Sequence, residues 1–190
     1  MAKKVIVLLA EGFEEVEAVT PIDYLRRAGI EVTVAAIGTS LAVKGARGIT
    51  VNADTSLHEL ARQNQATAAS WDAVVLPGGM PGSTNLAASG ETSALITEMA
   101  QAGKLVCAIC AAPAVVLAPP GILSGKKFTC YPGMETKVQG GTWTEAPTAT
   151  DGNVITSRGA GTAGVFATAI IEQLLGGAEA EKVAKAVLLH

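Results

Sequence analysis

The stretch Leu105-Val-Cys-Ala-Ile-Cys-Ala-Ala-Pro113 predicts a short buried strand that turns at once into a helix. Its first part, Leu105–Ile109, is uninterrupted apolar sequence, as expected of a strand covered on both faces. Small residues follow Cys110 directly, and residues 111–117 have helical character. A sharp strand-to-helix turn of this kind, a nucleophile elbow, projects one side chain at the edge of a sheet. We therefore expect the elbow to display Cys110.

The spacing alone leaves more than one interpretation of Cys110 open. As a reactive residue, it would be favoured as a thiolate by the N–H groups at the start of the following helix. As a structural residue, it would be a buried free cysteine, which is the common state of that residue type. Pairing with Cys107 in a C-x-x-C redox motif is disfavoured, because Cys107 falls inside the strand pattern rather than at a helix start.

Further apolar runs extend the pattern on both sides of this strand. Strands are predicted at Lys4–Leu9, 31–37, 49–51, Ala73–Leu76, 127–130, within 142–150 and at 154–156, and helices at 14–28, 92–102, 111–117, 164–175 and 179–188. Short apolar strands that alternate with helices indicate a mainly parallel sheet covered on both faces. In such sheets the functional site lies beyond the carboxyl ends of the strands.

A second strand exit carries two glycines, in the motif Leu76-Pro-Gly-Gly79. Gly78 and Gly79 would let the backbone come close to a ligand and direct N–H groups at an oxyanion. A plain turn is the alternative interpretation of these two residues. Because the motif ends another strand of the predicted parallel sheet, as the elbow does, we place it at the same site.

Glu17 is the candidate proton carrier at the exit of the first strand. It follows Glu14 and Glu15, whose carboxylates suit the first turn of a helix. Pro21 lacks the N–H that would bond the Glu17 carbonyl, so a local distortion is expected there. A half-buried Glu17 would have a raised pKa and could share a proton with the Cys110 sulfur.

The histidine that most cysteine enzymes use as a base is missing near the elbow. His58 precedes a predicted surface helix, and His190 is the last residue. A papain-like or amidotransferase-like Cys–His pair is therefore not expected. The three cysteines lack a fourth ligand, so we expect no metal site.

Composition narrows the class of protein. The 190 residues, 49% hydrophobic and 16% charged, fit a single ordered domain over 1–190. A net charge of -3 without a basic cluster argues against nucleic-acid binding. The apolar stretch 105–120 is short and interrupted by prolines, so no membrane span is predicted. No signal peptide pattern is present, and we expect a cytoplasmic protein.

The same motifs resemble a known family. Ala10-Glu-Gly-Phe-Glu-Glu-Val-Glu17, Leu76-Pro-Gly-Gly79, Ala108-Ile-Cys-Ala-Ala-Pro113 and Thr156-Ser-Arg-Gly-Ala-Gly-Thr162 are similar to those of the ThiJ/PfpI superfamily. The closest branch is the DJ-one group, that of the parkinsonism-associated deglycase and its bacterial relatives. The resemblance implies a flavodoxin-like three-layer sandwich that forms a homodimer.

The resemblance also implies roles for individual residues. Cys110 matches the reactive, easily oxidised cysteine, and Glu17 the protonated glutamate that bonds its sulfur. The residues matching the oxyanion and substrate positions are Gly78, Gly79, Ala111, Arg47 and Tyr131. Arg47 matches an arginine that approaches the cysteine across the dimer, and Arg158 a nearby structural arginine. Tyr131 is a departure, because many members of the family have a histidine there.

The resemblance favours a cofactor-independent glyoxalase or deglycase that acts on small 2-oxoaldehydes such as methylglyoxal and glyoxal, in protection from carbonyl and oxidative stress. The alternative is a redox-sensing protein or chaperone that uses oxidation of Cys110. A peptidase or amidase is less favoured, because the base is missing.

Overall fold

The computed structural model describes residues 2–189. The strands are β1 (Lys4–Leu9), β2 (Glu31–Ala36), β3 (Ala42–Lys44), β4 (Thr50–Asn52), β5 (Thr55–Ser56), β6 (Ala73–Leu76), β7 (Leu105–Ile109), β8 (Lys127–Phe128), β9 (Thr142–Trp143), β10 (Thr148–Asp151) and β11 (Val154–Ser157). The helices are α1 (Glu15–Arg27), α2 (Leu57–Arg62), α3 (Gly82–Ala88), α4 (Gly90–Gln101), α5 (Ala163–Leu175) and α6 (Gly177–Ala186). Pro113–Leu117 is a π-helical turn, and Glu135–Lys137 and Ala160–Thr162 are 3-10 turns.

The central sheet has seven strands in the order β10-β11-β7-β6-β1-β2-β5. Neighbouring strands are parallel, except that β10 runs antiparallel to β11. A separate antiparallel hairpin pairs β3 with β4, and β8 pairs with β9. The carboxyl ends of β1, β6 and β7 therefore lie side by side at one edge of the sheet, where the sequence places the three motifs.

Helices cover both faces of this sheet. Alternate residues of β1 point to opposite sides, so that Ile6 and Leu8 join a core with α2, α3 and α4. Val5, Val7 and Leu9 pack on the other side with α1, α5 and α6. Burial on both faces explains the uninterrupted apolar runs of the central strands. The predicted flavodoxin-like three-layer α/β sandwich is confirmed.

Some local predictions differ from the structure. The α3 helix was not predicted, because Gly82-Ser-Thr-Asn85 opens it with poor helix formers. The β3 strand was not predicted either. It pairs with β4, which begins and ends one residue later than the predicted strand 49–51. Pairing in the predicted strand 127–130 stops at Phe128, because the next N–H, that of Thr129, donates to Thr156 Oγ1 at 2.9 Å.

The segment after the elbow is also wound differently from the prediction. It is a π-helical turn, in which the N–H of Ala118 donates to the carbonyl of Pro113 at 3.1 Å, five residues back. By contrast, α1 runs unbroken through Pro21, so the expected distortion does not end the helix.

Charged side chains lie at the amino ends of the central strands, opposite the edge that carries the three motifs. A groove of about 810 Å³ there is bordered by Lys3, Asp72 and Lys104. Asp72 accepts the Lys4 N–H at 2.9 Å and lies 3.7 and 3.5 Å from the ammonium groups of Lys3 and Lys104. Burial opposes ionisation of Asp72, but the N–H and the two ammonium groups outweigh it and lower its pKa. No helix within residues 2–189 is long and apolar enough to cross a membrane.

Candidate active site

Cys110 adopts a backbone conformation that few residues other than glycine tolerate. Its φ is 64°, in the left-handed region, directly after β7. Hydrogen bonds on both sides hold this conformation: the Cys110 N–H donates to the Ser157 carbonyl at 2.9 Å, and the Cys110 carbonyl accepts the Tyr131 N–H at 2.8 Å. The elbow predicted from the sequence is therefore present, and strain of this kind is concentrated at functional sites.

The other cysteines lie away from this turn. Cys107 is fully buried within β7, and Cys130 is fully buried as well, whereas Cys110 is half-buried. All three are free thiols. The burial of Cys107 bears against the redox-pair interpretation of the C-x-x-C motif, because both sulfurs of such a pair should be near the surface.

The Glu17 carboxyl reaches the elbow from the first turn of α1. Its side chain is 1% exposed, and its Oε2 accepts the Gly78 N–H at 2.9 Å. On the other side, a Cβ placed on Gly159 would lie 3.8 Å from Glu17 Oε1. The carboxyl is thus held between the turn after β6 and the loop after β11.

Gly78 is required where the two candidate groups meet. A Cβ added there would lie 2.5 Å from both the Cys110 Cβ and Glu17 Oε2, closer than side chains pack. Gly79 has φ 89°, and a Cβ on it would overlap the Glu14 N–H. The structure therefore brings together Cys110, Glu17, Gly78 and Gly79, and the two glycines leave no space for side chains.

The thiol and the carboxyl are electrically coupled. Burial is the main cause that raises the pKa of Glu17 to about 7, and the charge of Glu14 adds to the rise. Burial also raises the pKa of Cys110 to about 12, with an ionised Glu17 as the next cause. The sequence-based expectation of a thiolate favoured by a helix start is therefore not met while Glu17 is ionised. Between the two values the pair carries a single proton.

The backbone around the sulfur acts in the opposite direction. Interaction with the N–H groups of Gly79 and Ala111 lowers the pKa of Cys110, although less than burial raises it. The family resemblance implies an oxyanion role for these two residues and for Gly78, whose N–H donates instead to Glu17 Oε2 at 2.9 Å. Donors that stabilise negative charge on sulfur can also stabilise an oxyanion formed on a substrate bound to it.

Tyr131 and Arg158 border the site without joining the pair. The Tyr131 side chain is 52% exposed, and its ring lies 3.7 Å from the position that a Gly159 Cβ would take. Arg158 is held by the backbone, donating its N–H to Pro147 at 3.3 Å and its guanidinium to the Glu145 carbonyl at 3.2 Å. These contacts agree with a structural place for Arg158.

Arg47 lies on the loop between β3 and β4 with its side chain exposed. Within the described chain its hydrogen bond is made by the backbone: the Arg47 N–H donates to Glu15 Oε1 at 2.7 Å. The same oxygen accepts the Ile49 N–H at 3.3 Å, and the Glu15 side chain packs against Gly45. The structure therefore does not join Arg47 to Cys110 within one chain.

Glu15 is a residue whose place the sequence did not reveal. The sequence predicts only a carboxylate that suits the first helical turn, yet the Glu15 side chain is only 5% exposed and anchors the loop that carries Arg47. A bond across 32 positions leaves no local sequence signal.

The remaining candidate bases and ligands lie elsewhere. His58 is on α2, exposed, with its Nδ1 2.9 Å from Glu91 Oε1. His190 lies outside the described residues. Within residues 2–189, no three His, Cys, Asp or Glu side chains come together as metal ligands would.

Comparison with known proteins agrees with this architecture. The model of the DJ-1/PfpI family matches residues 3–173. Protein dj-1beta of Drosophila melanogaster is 43% identical over 191 residues, covering 100% of this chain and 98% of the relative. Its crystal structure superposes with a TM-score of 0.92 at 42% identity, with 100% of both chains covered. A deglycase of Pyrococcus abyssi is 33% identical over 158 residues, covering 82% of this chain and 89% of that protein. The chain therefore belongs to the DJ-1/PfpI family.

Proposed function

We propose that this protein is a cofactor-independent glyoxalase or deglycase that converts small 2-oxoaldehydes to 2-hydroxy acids. The observation that carries the proposal is the contact between a strained elbow cysteine and a buried carboxyl, with Gly78 filling the space between them. A sulfur nucleophile and a proton carrier are the two groups that addition to a reactive carbonyl requires. The name of the Pyrococcus abyssi relative supports the deglycase variant of this chemistry.

The reaction begins with attack of the Cys110 sulfur on the aldehyde carbon. The thiol proton passes to ionised Glu17, the S–C bond forms, and Glu17 returns the proton to the former carbonyl oxygen, which gives a hemithioacetal. Glu17, ionised again, then moves a proton from the former aldehyde carbon to the neighbouring carbon. The hydroxyl proton passes to the oxygen of that neighbouring carbon, which converts the hemithioacetal to a thioester. Water hydrolyses the thioester, so that methylglyoxal and water give lactate, and the thiol is regenerated. The N–H groups of Gly79 and Ala111 would stabilise the charge on oxygen.

The test is formation of lactate from methylglyoxal without glutathione. We expect activity in the wild type and its loss in Cys110→Ser and Glu17→Gln. A matched control is Cys107→Ser, which changes a buried thiol within β7, the strand that leads to the elbow. Lactate formation that persists in Cys110→Ser or Glu17→Gln would refute the mechanism, and release of the same adducts from modified amines would identify the deglycase variant.

A second candidate function is redox sensing or chaperoning through oxidation of Cys110. Its support is selective exposure, because Cys110 is half-buried while Cys107 and Cys130 are fully buried. Mild peroxide should therefore form a sulfinate at Cys110 first, held by the neighbouring Glu17. Peptide mass spectrometry that finds Cys107 or Cys130 oxidised earlier would exclude this function.

We also propose that a second copy of the chain covers the surface beside the site. Val16 and Val19, one turn apart on α1, are 49% and 45% exposed, and Ile49 is 59% exposed on the loop of Arg47. Apolar side chains grouped in this way are typical of a protein interface. A homodimer would bring Arg47 of one copy toward Cys110 of the other.

Analytical ultracentrifugation tests the homodimer. Val19→Glu should shift the protein toward monomer, whereas Leu175→Glu, at a side chain that is 40% exposed on α5, should not. Equal sedimentation of Val19→Glu and wild type would contradict this interface.

A reduced thiol is needed for both candidate functions, so we propose a cytoplasmic location. Such a compartment keeps cysteines reduced, and the chain has three free thiols. Cell fractionation that finds the protein in an oxidising compartment would contradict the proposal.

A further inference from the structure

Glu14 links the first turn of α1 to the turn after β6. As the residue that caps the helix, it accepts the Glu17 N–H on its Oε2 at 2.8 Å. Its own N–H donates to the Gly78 carbonyl at 2.9 Å. Glutamate is not among the residues preferred at this capping position, where shorter Ser, Thr, Asp and Asn side chains predominate. Capping alone therefore does not account for a glutamate here.

These bonds close a ring around the carboxyl of the site. Gly78 accepts from Glu14 through its carbonyl and donates to Glu17 Oε2 through its N–H, at 2.9 Å in each case. Glu14 in turn accepts the N–H of Glu17. The direction of the Glu17 side chain is thus fixed from both ends, by its own backbone and by the turn that contacts Cys110.

The charge of Glu14 acts on the same carboxyl. After burial, its negative charge is the strongest influence that raises the pKa of Glu17. The other groups that face Glu17 are the Cys110 thiol from the elbow, the Gly78 amide from the turn after β6, and Gly159, with Tyr131 beyond it. Among the groups that influence the pKa of Glu17, Glu14 is thus the one with a negatively charged side chain.

We propose that Glu14 is a positioning residue, which orients Glu17 through the ring of hydrogen bonds and, through its negative charge, favours the protonated form of Glu17. The inference deepens the proposed function, since it names what controls protonation of the same site.

The test compares two replacements of Glu14 by the pH dependence of Cys110 alkylation. Glu14→Gln retains an oxygen that accepts the Glu17 N–H but loses the charge, whereas Glu14→Asp retains both. Iodoacetamide labelling is followed by peptide mass spectrometry, and the inflection due to Glu17 is the one that Glu17→Gln abolishes. We expect Glu14→Gln to move this inflection to lower pH by about half a unit, as expected for one charge removed at close range in a partly solvated site.

Controls separate this role from a merely structural one. Glu11→Gln removes a nearby exposed carboxylate that accepts the Lys44 N–H and should leave the inflection unchanged. Glu14→Asp should titrate like the wild type, and the melting temperature of Glu14→Gln should stay close to that of the wild type. The proposal is overturned if Glu14→Gln titrates like the wild type, if Glu11→Gln shifts the inflection equally, or if no inflection depends on Glu17. Because no substrate is used, failure of the lactate assay would leave this result standing.

Discussion

Replacing Glu17 by glutamine tests whether the folded protein disfavours ionisation of this carboxyl. The amide oxygen of glutamine can still accept the Gly78 N–H, and the side chain has nearly the same volume. The variant cannot ionise, however, so it lacks the charge that the wild type must bury above neutral pH. The difference in stability between the two proteins therefore reports the pKa of Glu17 in the folded state.

The size of the effect follows from the pKa. Burial raises the pKa of Glu17 from 4.5 to about 7. Each pKa unit is worth about 1.4 kcal/mol, so ionisation of Glu17 lowers the free energy of unfolding by about 3 kcal/mol. A raised pKa stabilises the folded protein fully below pH 4.5, and this contribution is lost as the pH rises through 7. Glu17→Gln should thus gain about 3 kcal/mol relative to the wild type between pH 4.5 and pH 8. For a chain of this size the gain corresponds to about 6–12 °C in melting temperature.

Urea unfolding of both proteins at a fixed protomer concentration, from pH 4.5 to pH 8, measures this difference. Subtracting the two curves cancels the titration of groups that the proteins share. Glu11→Gln, in an exposed position, serves as the control and should run parallel to the wild type. Parallel curves for Glu17→Gln and wild type would show that Glu17 ionises normally, and the proton-sharing mechanism would then lose its basis.

Other replacements test the surroundings of the pair. Gly78→Ala should lose about 1–3 kcal/mol of stability and slow alkylation of the Cys110 thiol, because the added Cβ has no space. Gly161→Ala is the control and should have neither effect, since no atom lies within 4 Å of its added Cβ. Asp72→Asn should lower stability by about 1 kcal/mol at neutral pH. The difference should vanish in acid, because a lowered pKa stabilises fully above the unfolded value of 3.8 and the contribution is lost as the pH falls through the lower folded value. Glu15→Ala should speed hydrogen exchange at the Arg47 amide, which loses its acceptor, and unchanged protection would contradict its anchoring role.

The sequence was sufficient to predict the architecture because both faces of the central strands are buried. Such strands read as continuous apolar runs, so β1, β6 and β7 could be recognised without any long-range information. The helix α3 and the π-helical turn depend instead on tertiary contacts, which override weak local preferences. Their sequences alone could not have predicted them.

For the site, residue positions were predictable but electrostatics were not. Motifs that follow parallel strands lie at the same edge of the sheet, so the sequence predicts that Cys110, Glu17 and Gly78 come together. N–H groups at a helix start favour a thiolate, yet burial and the adjacent carboxyl raise the pKa of the Cys110 thiol to about 12. Such an effect depends on distances across elements, as does the bond from Glu15 to the loop of Arg47.

The left-handed backbone conformation of Cys110 creates a trade-off between thermal stability and thiol reactivity at this position. Glycine adopts a φ of 64° without steric strain, so Cys110→Gly would relieve up to about 1 kcal/mol while removing the sulfur. A library randomised at this position and screened only for heat resistance should enrich glycine or asparagine. The same library screened for thiol labelling should retain cysteine, so engineering this protein for durability requires stabilising changes elsewhere in the chain.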